Sequence, residues 1–202
     1  MIGGPHPYEK IPLDVAGYVL AVYLIGSHAL MLAKPEFCKG WLQRLPRHHT
    51  AGIYVMGVAL AWFWLLVAPD GLGVVSSLTM DIGEFNAMKR YLRILVPLAF
   101  LGMVMYVKEF LFVRALGVLA LMVAAPLLEA AFNKEPVTRL LVPFFAYVLL
   151  TKGLFWVGMP FTFRDAANWA TANDRRWRML AFGGLAYGVL TLVCAVAFWR
   201  GH

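Results

Sequence analysis

Four ionisable residues stand inside, or at the edge of, long apolar runs: His28, Glu109, Glu129 and Lys152. Any chemistry has to be sought there, because a charge at the bilayer centre costs about 2.5–3.5 kcal/mol on insertion scales. Each such group needs a partner, water, or a route for its head to the interface. At about 1.5 Å per residue, His28 and Lys152 each lie roughly 21 Å down their runs from one common side of the membrane. Lys108 and Glu109 end another run, so all four groups fall in the same third of the bilayer. A Glu109–Lys152 pair with His28 nearby is the expected intramembrane polar cluster, one that acid–base chemistry or a small transporter could use. The competing arrangement has Lys108 and Lys152 snorkelling to headgroups, Glu109 at the surface and His28 bonded to a neighbouring backbone group. Glu129 sits one turn from the opposite end of its run, near Lys134 and Arg139. A local Glu129–Arg139 ion pair is expected there. Arg114 opens that run and can snorkel.

Other ligand sets are sparse. His48 and His49 are adjacent rather than four apart, and no Glu or Cys accompanies them at ligand spacing, so no metal site is expected. His28 has no second membrane-embedded His, which disfavours bis-His haem ligation and leaves a haem or chlorophyll with His28 as its single axial ligand. A quinone or pigment pocket among the 14 Phe, 8 Tyr and 7 Trp is a further option. Cys38 and Cys194 fall towards opposite sides of the membrane, too far apart for a disulfide. Ser76 and Ser77 lack a nucleophile setting, and neither the Asp70–Gly73 stretch nor Gly183–Gly184 reads as a phosphate loop.

The elements that position these groups follow from composition. The chain has 202 residues, 61% of them hydrophobic and only 14% charged, whereas soluble domains run near half apolar and a quarter charged. That excludes a soluble enzyme, a nucleic-acid-binding domain, a disordered tail and a disulfide-stapled scaffold. The expected fold is an all-α integral membrane protein: a single bundle of about six transmembrane helices with short interfacial helices in the connections. The expected spans are 14–33, 50–68, 92–107, 110–132, 137–159 and 179–199, in one domain over 1–202. Each is about the length of a bilayer crossing. The first is expected to be retained, because its leader has one Lys and two acids and the run is followed by a poor cleavage site. Pro69, Asp70 and Gly71 break the chain after the second span. Spans three and four are expected to form a tight hairpin at Lys108–Glu109, since one helix from 92 to 132 would far exceed a bilayer.

The +7 net charge is better explained by topogenic Lys and Arg and by lipid headgroups than by nucleic acid. Connections 1–2, 3–4 and 5–6 carry ten Lys and Arg against seven in the opposite set. That bias predicts connections 1–2 and 5–6 in the cytoplasm and both termini outside; the expected location is a bacterial inner membrane. In 35–45, Phe37, Trp41, Leu42 and Leu45 recur at helical spacing, describing a short interfacial helix anchored by Trp41. The 160–176 connection is similar, with Trp169 as its anchor. These connections offer a ledge for a partner subunit or anionic lipid. Ser77 is expected to cap a helix whose Leu78, Ile82 and Phe85 share one face.

Two internal resemblances recur. Arg93–Pro97 (RILVP) reappears as Arg139–Pro143 (RLLVP). Tyr18, Trp41 and Gly57 mark an apolar helix, a basic linker with Trp and a glycine-bearing helix, and Tyr147, Trp169 and Gly183 mark the same order again. This unit resembles the hairpin of small DoxX-like bacterial membrane proteins over roughly 45 residues at each end. The resemblance implies a membrane-hairpin fold and no activity. Three functions follow as expectations. The first is a non-catalytic accessory or scaffold subunit of a larger membrane complex, with partner subunits or a homo-oligomer. The second is a small transporter or channel, with Pro97, Pro126, Pro143 and Pro160 breaking helices. The third is a pigment-, haem- or quinone-binding subunit.

Overall fold

The computed structural model describes residues 6–69, 73–107 and 109–201, apart from the side chains of Val74 and Ser76. The expectations placed on Asp70, Gly71, Lys108 and the side chain of Ser76 therefore lie outside the described residues. Eight α-helices follow one another: α1 (Leu13–Ala33), α2 (Pro35–Arg44), α3 (His49–Leu66), α4 (Lys89–Tyr106), α5 (Leu111–Ala131), α6 (Leu141–Gly158), α7 (Phe161–Thr171) and α8 (Asp174–Ala197). No strand occurs among the described residues. Five segments are long and apolar enough to cross a membrane: α1, α3, α5, α8, and α6 together with the 3-10 turn before it. The protein is thus an all-α protein of membrane-spanning type. The remaining long helix, α4, opens with Lys89, Arg90 and Arg93 and carries Pro97 in its interior.

Contacts along the helices fix their directions. Gly52 of α3 meets Phe112 of α5, Met56 meets Leu111 and Ala115, and Leu66 meets Met122, so α3 and α5 run parallel. Between them in the chain, α4 runs the other way: Arg93 reaches the end of α3, while Phe100 lies against Gly57. α6 returns along α5, and α8 lies antiparallel to α1. One end of the bundle, the near end, therefore gathers α2, α7, the starts of α3, α5 and α8, and the ends of α1, α4 and α6. α4 and α5 are separate helices. Phe110 takes a left-handed conformation, φ 57°, where the chain turns into α5.

Lipid offers helices no hydrophobic reason to associate, so close backbone approach has to hold them. α5 is the most enclosed of the spanning helices. On it, Gly117 faces Gly153 of α6 so closely that a Cβ on either would come within 2.9 Å of the other's carbonyl oxygen. A Cβ on Gly52 would stand 2.7 Å from the Phe112 backbone nitrogen. The α1–α8 pair joins the others at the far end, where Trp199 is fully buried with Leu13, Ala131 and Val142. Its indole N–H donates to Thr138 Oγ1 at 2.9 Å, and the Tyr187 hydroxyl donates to the Leu141 carbonyl at 2.6 Å.

The structure corrects the sequence reading in three places. The stretch around Ser77 is not one capped helix. It is two 3-10 turns, Gly73–Leu78 and Gly83–Met88, with Ser77 inside the first. The break has a cause: Asp81 Oδ1 accepts from the Gly83 N–H at 2.8 Å and from Asn86 at 2.6 Å, and Gly83 has φ +59°, which ends a helical run. Those bonds hold the Asp81 carboxyl below the usual carboxylate range, Asn86 contributing most. Second, α8 starts at Asp174 rather than 179. Asn173 Oδ1 accepts from the Arg175 N–H at 2.8 Å as an N-cap, so the charged turn belongs to the helix. Third, the two RxLVP stretches differ in register: Pro97 lies mid-helix, whereas Pro143 lies in the first turn of α6, where a missing N–H costs nothing.

Candidate functional site

The near end is built on two short amphipathic helices. α2 and α7 follow the pattern read from the sequence, apolar residues on one side and charges on the other. They also meet, since Gln43 of α2 donates to Thr171 Oγ1 of α7 at 2.9 Å. Lys39 of α2 reaches Asp174, the first residue of α8, in a short ion pair and also meets Glu36 at 3.2 Å. The Asp174 bond, the largest cause, and the Glu36 contact hold the Lys39 ammonium above its ordinary range. This clasp ties the connection of the first hairpin to the start of the last helix. A cleft of about 340 Å³ opens beside it, lined by Met31, Leu32, Pro35, Glu36, Trp177 and Arg178, with Asp174. Trp41 and Trp169 are exposed, at 57% and 48%. The Arg176 guanidinium lies 5.0 Å above the Trp169 ring, a cation–π contact.

The depth-placed residues do not form one cluster. Glu109 and Lys152 are both exposed, and the ion pairs among the described residues are Lys39–Glu36, Lys39–Asp174 and Arg164–Asp165. Lys152 sits beside Gly153, level with Gly117, and Glu109 precedes Gly117 by eight residues. That offsets the two by about 12 Å along α5, beyond ion-pair reach. Glu129 and Arg139 are half-buried and form no ion pair among the described residues. His28 faces α8: its Nδ1 lies 2.8 Å from the Leu24 carbonyl, and its Nε2 lies where a Cβ on Gly184 would be, 2.0 Å away. The ring therefore fills the notch that Gly184 leaves. Axial coordination through Nε2 would require α1 and α8 to separate. Cys38 lies on α2 at the near end and Cys194 near the far end of α8, both as free thiols.

Sequence reasoning missed a set of donors that close helix ends. The last carbonyls of a helix have no partner of their own and carry partial negative charge. Arg93 Nε and Nη2 donate to the Val67 and Ala68 carbonyls after α3 at 2.7 and 3.1 Å. Arg114 Nη1 donates to the Val157 carbonyl of α6 at 3.0 Å, and Trp177 Nε1 to the Met31 carbonyl of α1 at 3.0 Å. Each partner lies on, or just past the end of, a different helix from its donor, so no local pattern could have announced it.

Net charge is confined to one end. By position in the sequence, the far end carries Lys10, Lys89, Arg90, Arg93, Lys134, Arg139 and Arg200 against Glu9, Asp14, Asp70, Asp81, Glu84, Glu129 and Glu135, and so is neutral. The near half carries the remaining eleven Lys and Arg against Glu36, Glu109, Asp165 and Asp174. The whole +7 of the chain therefore belongs to the near half.

No protein-family model, no curated protein and no solved structure matches the chain.

Proposed function

We propose that the protein crosses the membrane six times, with its α2–α7 end in the cytoplasm, and serves as a non-catalytic accessory or scaffold subunit of a larger membrane assembly. The parallel course of α3 and α5 supports the sixth crossing, because the chain has to return between their ends and α4, 18 residues long, has the length to do so. The excess of Lys and Arg at the near end supports the orientation.

The observation that carries the subunit role is α4 itself. It is the long helix that falls short of a self-sufficient membrane crossing, it has a proline in its interior, and Val96 is its one buried residue. It leans on α3 through Phe100 and Met103. From end to end it exposes Tyr91, Ile94, Leu95, Leu98, Leu101 and Met105. A proline-interrupted, weakly apolar helix held along one edge gains stability from a neighbouring protein helix that lipid does not supply. Photo-crosslinkers at Leu98 and Leu101 should therefore join the chain to one discrete partner that also co-purifies at fixed stoichiometry in mild detergent. Crosslinkers at Val189 and Val193, on the exposed face of the longer α8, should not. Crosslinks from α4 to lipid alone, or to a second copy of this chain, would contradict the subunit role.

A further inference from the structure

We propose that the α2–α7 plate is a binding surface for the phosphate headgroups of anionic phospholipids, a property independent of the subunit role. Neutralisation within the plate is uneven. Lys39 occupies both Glu36 and Asp174, and Arg164 lies 3.0 Å from Asp165. The acids of α2, α7 and the start of α8 are thereby used, while Lys34, Arg44, Arg47, Arg175 and Arg176 are exposed and form no ion pair with any described residue. Lys34 is the N-cap residue of α2, Arg44 and Arg47 lie at its end and on its continuation towards α3, and Arg175 and Arg176 lie on the first turn of α8, elements joined by the Lys39–Asp174 and Gln43–Thr171 contacts. A surplus of fixed positive charge held at one membrane face is complementary to a leaflet that carries net negative charge.

The aromatic residues fix the depth at which these cations sit. Phe37 and Trp41 on α2 and Trp169 on α7 are exposed, and the Arg176 guanidinium is stacked on the Trp169 ring. Indoles favour the headgroup level of a bilayer. A guanidinium held against one is therefore delivered to the height of the lipid phosphate, where its planar fork can hold two phosphate oxygens. The far end has its own exposed pair, Arg90 against the Tyr91 ring at 4.6 Å, but there the total charge is zero. That end provides the internal control.

The test uses the full chain in mild detergent, titrated with phosphatidylglycerol or with phosphatidylcholine of the same acyl chains. Bound lipid is counted by native mass spectrometry and thermal stability is followed in parallel. Phosphatidylglycerol should bind and raise Tm, phosphatidylcholine should not, and the effect should weaken as salt is raised. Each cation removed near a charged surface is worth about five-fold in affinity, so R175Q/R176Q should weaken phosphatidylglycerol binding roughly thirty-fold. K89Q/R90Q at the far end should leave it unchanged. Should R175Q/R176Q fail to fold, R44Q/R47Q carries the same comparison. Equal binding of the two lipids, or equal losses in near-end and far-end variants, would overturn the proposal. So would full competition by inorganic phosphate at millimolar concentration, which would make the surface a free-anion site.

Discussion

Gly52→Leu should yield no folded, monodisperse protein. At this position α3 lies against the backbone of α5, and the atoms a side chain would meet are the Phe112 nitrogen at 2.7 Å and its Cα at 3.0 Å. Neither can turn aside as a flexible side chain could, so the two helices would have to separate. Even Gly52→Ala is expected to cost about 1–3 kcal/mol, the usual range for overpacking. The Leu variant has to displace α3 from the helix around which the other elements are arranged. The matched control is Gly26→Ala in α1, where nothing lies within 4 Å of an added Cβ. There the change should be neutral, or stabilising by up to about 1 kcal/mol through helix propensity. Size-exclusion profiles and thermal unfolding in mild detergent read both outcomes. A monodisperse Gly52→Leu protein with unchanged Tm would mean that α3 and α5 do not meet in this way.

The second large effect is a rescue. Gly184→Ala places a methyl 2.0 Å from His28 Nε2, and the ring can escape only by giving up its 2.8 Å contact with the Leu24 carbonyl. His28→Ala removes the ring and leaves the notch empty. Each single change should destabilise the α1–α8 pair, by about 1–3 kcal/mol for the overpacked Gly184→Ala. The double variant should recover part of the loss, because its methyl enters space that the ring vacated. A coupling of about 0.5–3 kcal/mol is expected, the range found for residues in direct contact. Additive losses would remove the packing role. A ligand role for His28 makes a different prediction: loss of a bound chromophore's absorption in His28→Ala, with no recovery on adding Gly184→Ala.

The contrast between what was legible in the sequence and what was not has a physical origin. Runs such as 14–33 and 110–132 announce helices because their length and lack of charge answer to one property of the solvent, the thickness of hydrocarbon. The helical spacing of Phe37, Trp41 and Leu42 announced α2 for a similar reason, since an interface sorts residues by face. Charged residues were harder to place, because their energetics depend on partners that the helix run does not contain. Arg93 and Arg114 read as topogenic or snorkelling side chains, yet each donates to carbonyls at the end of another helix, 26 and 43 residues away in the chain. Arg175, Arg176 and Arg178 read as linker, although an N-capped helix extends through them. Depth along an axis brought Glu109, Lys152 and His28 into the same third of the membrane. It took no account of how the packed helices are staggered, and that stagger of about 12 Å along α5 is what leaves Glu109 and Lys152 apart. The Lys39–Asp174 clasp, which joins connections far apart in sequence, was likewise beyond any local pattern.

If α4 crosses the membrane and the α2–α7 end is cytoplasmic, the two ends of α4 lie on opposite sides of the membrane, which side-specific labelling reads out. In a Cys38→Ser, Cys194→Ala background, Glu84→Cys precedes α4 at the far end and Glu109→Cys follows it at the near end, both at exposed positions. With a membrane-impermeant maleimide, Glu84→Cys should react in intact cells and Glu109→Cys only after the membrane is opened. Reaction of both cysteines from the same side would rule out a crossing by α4.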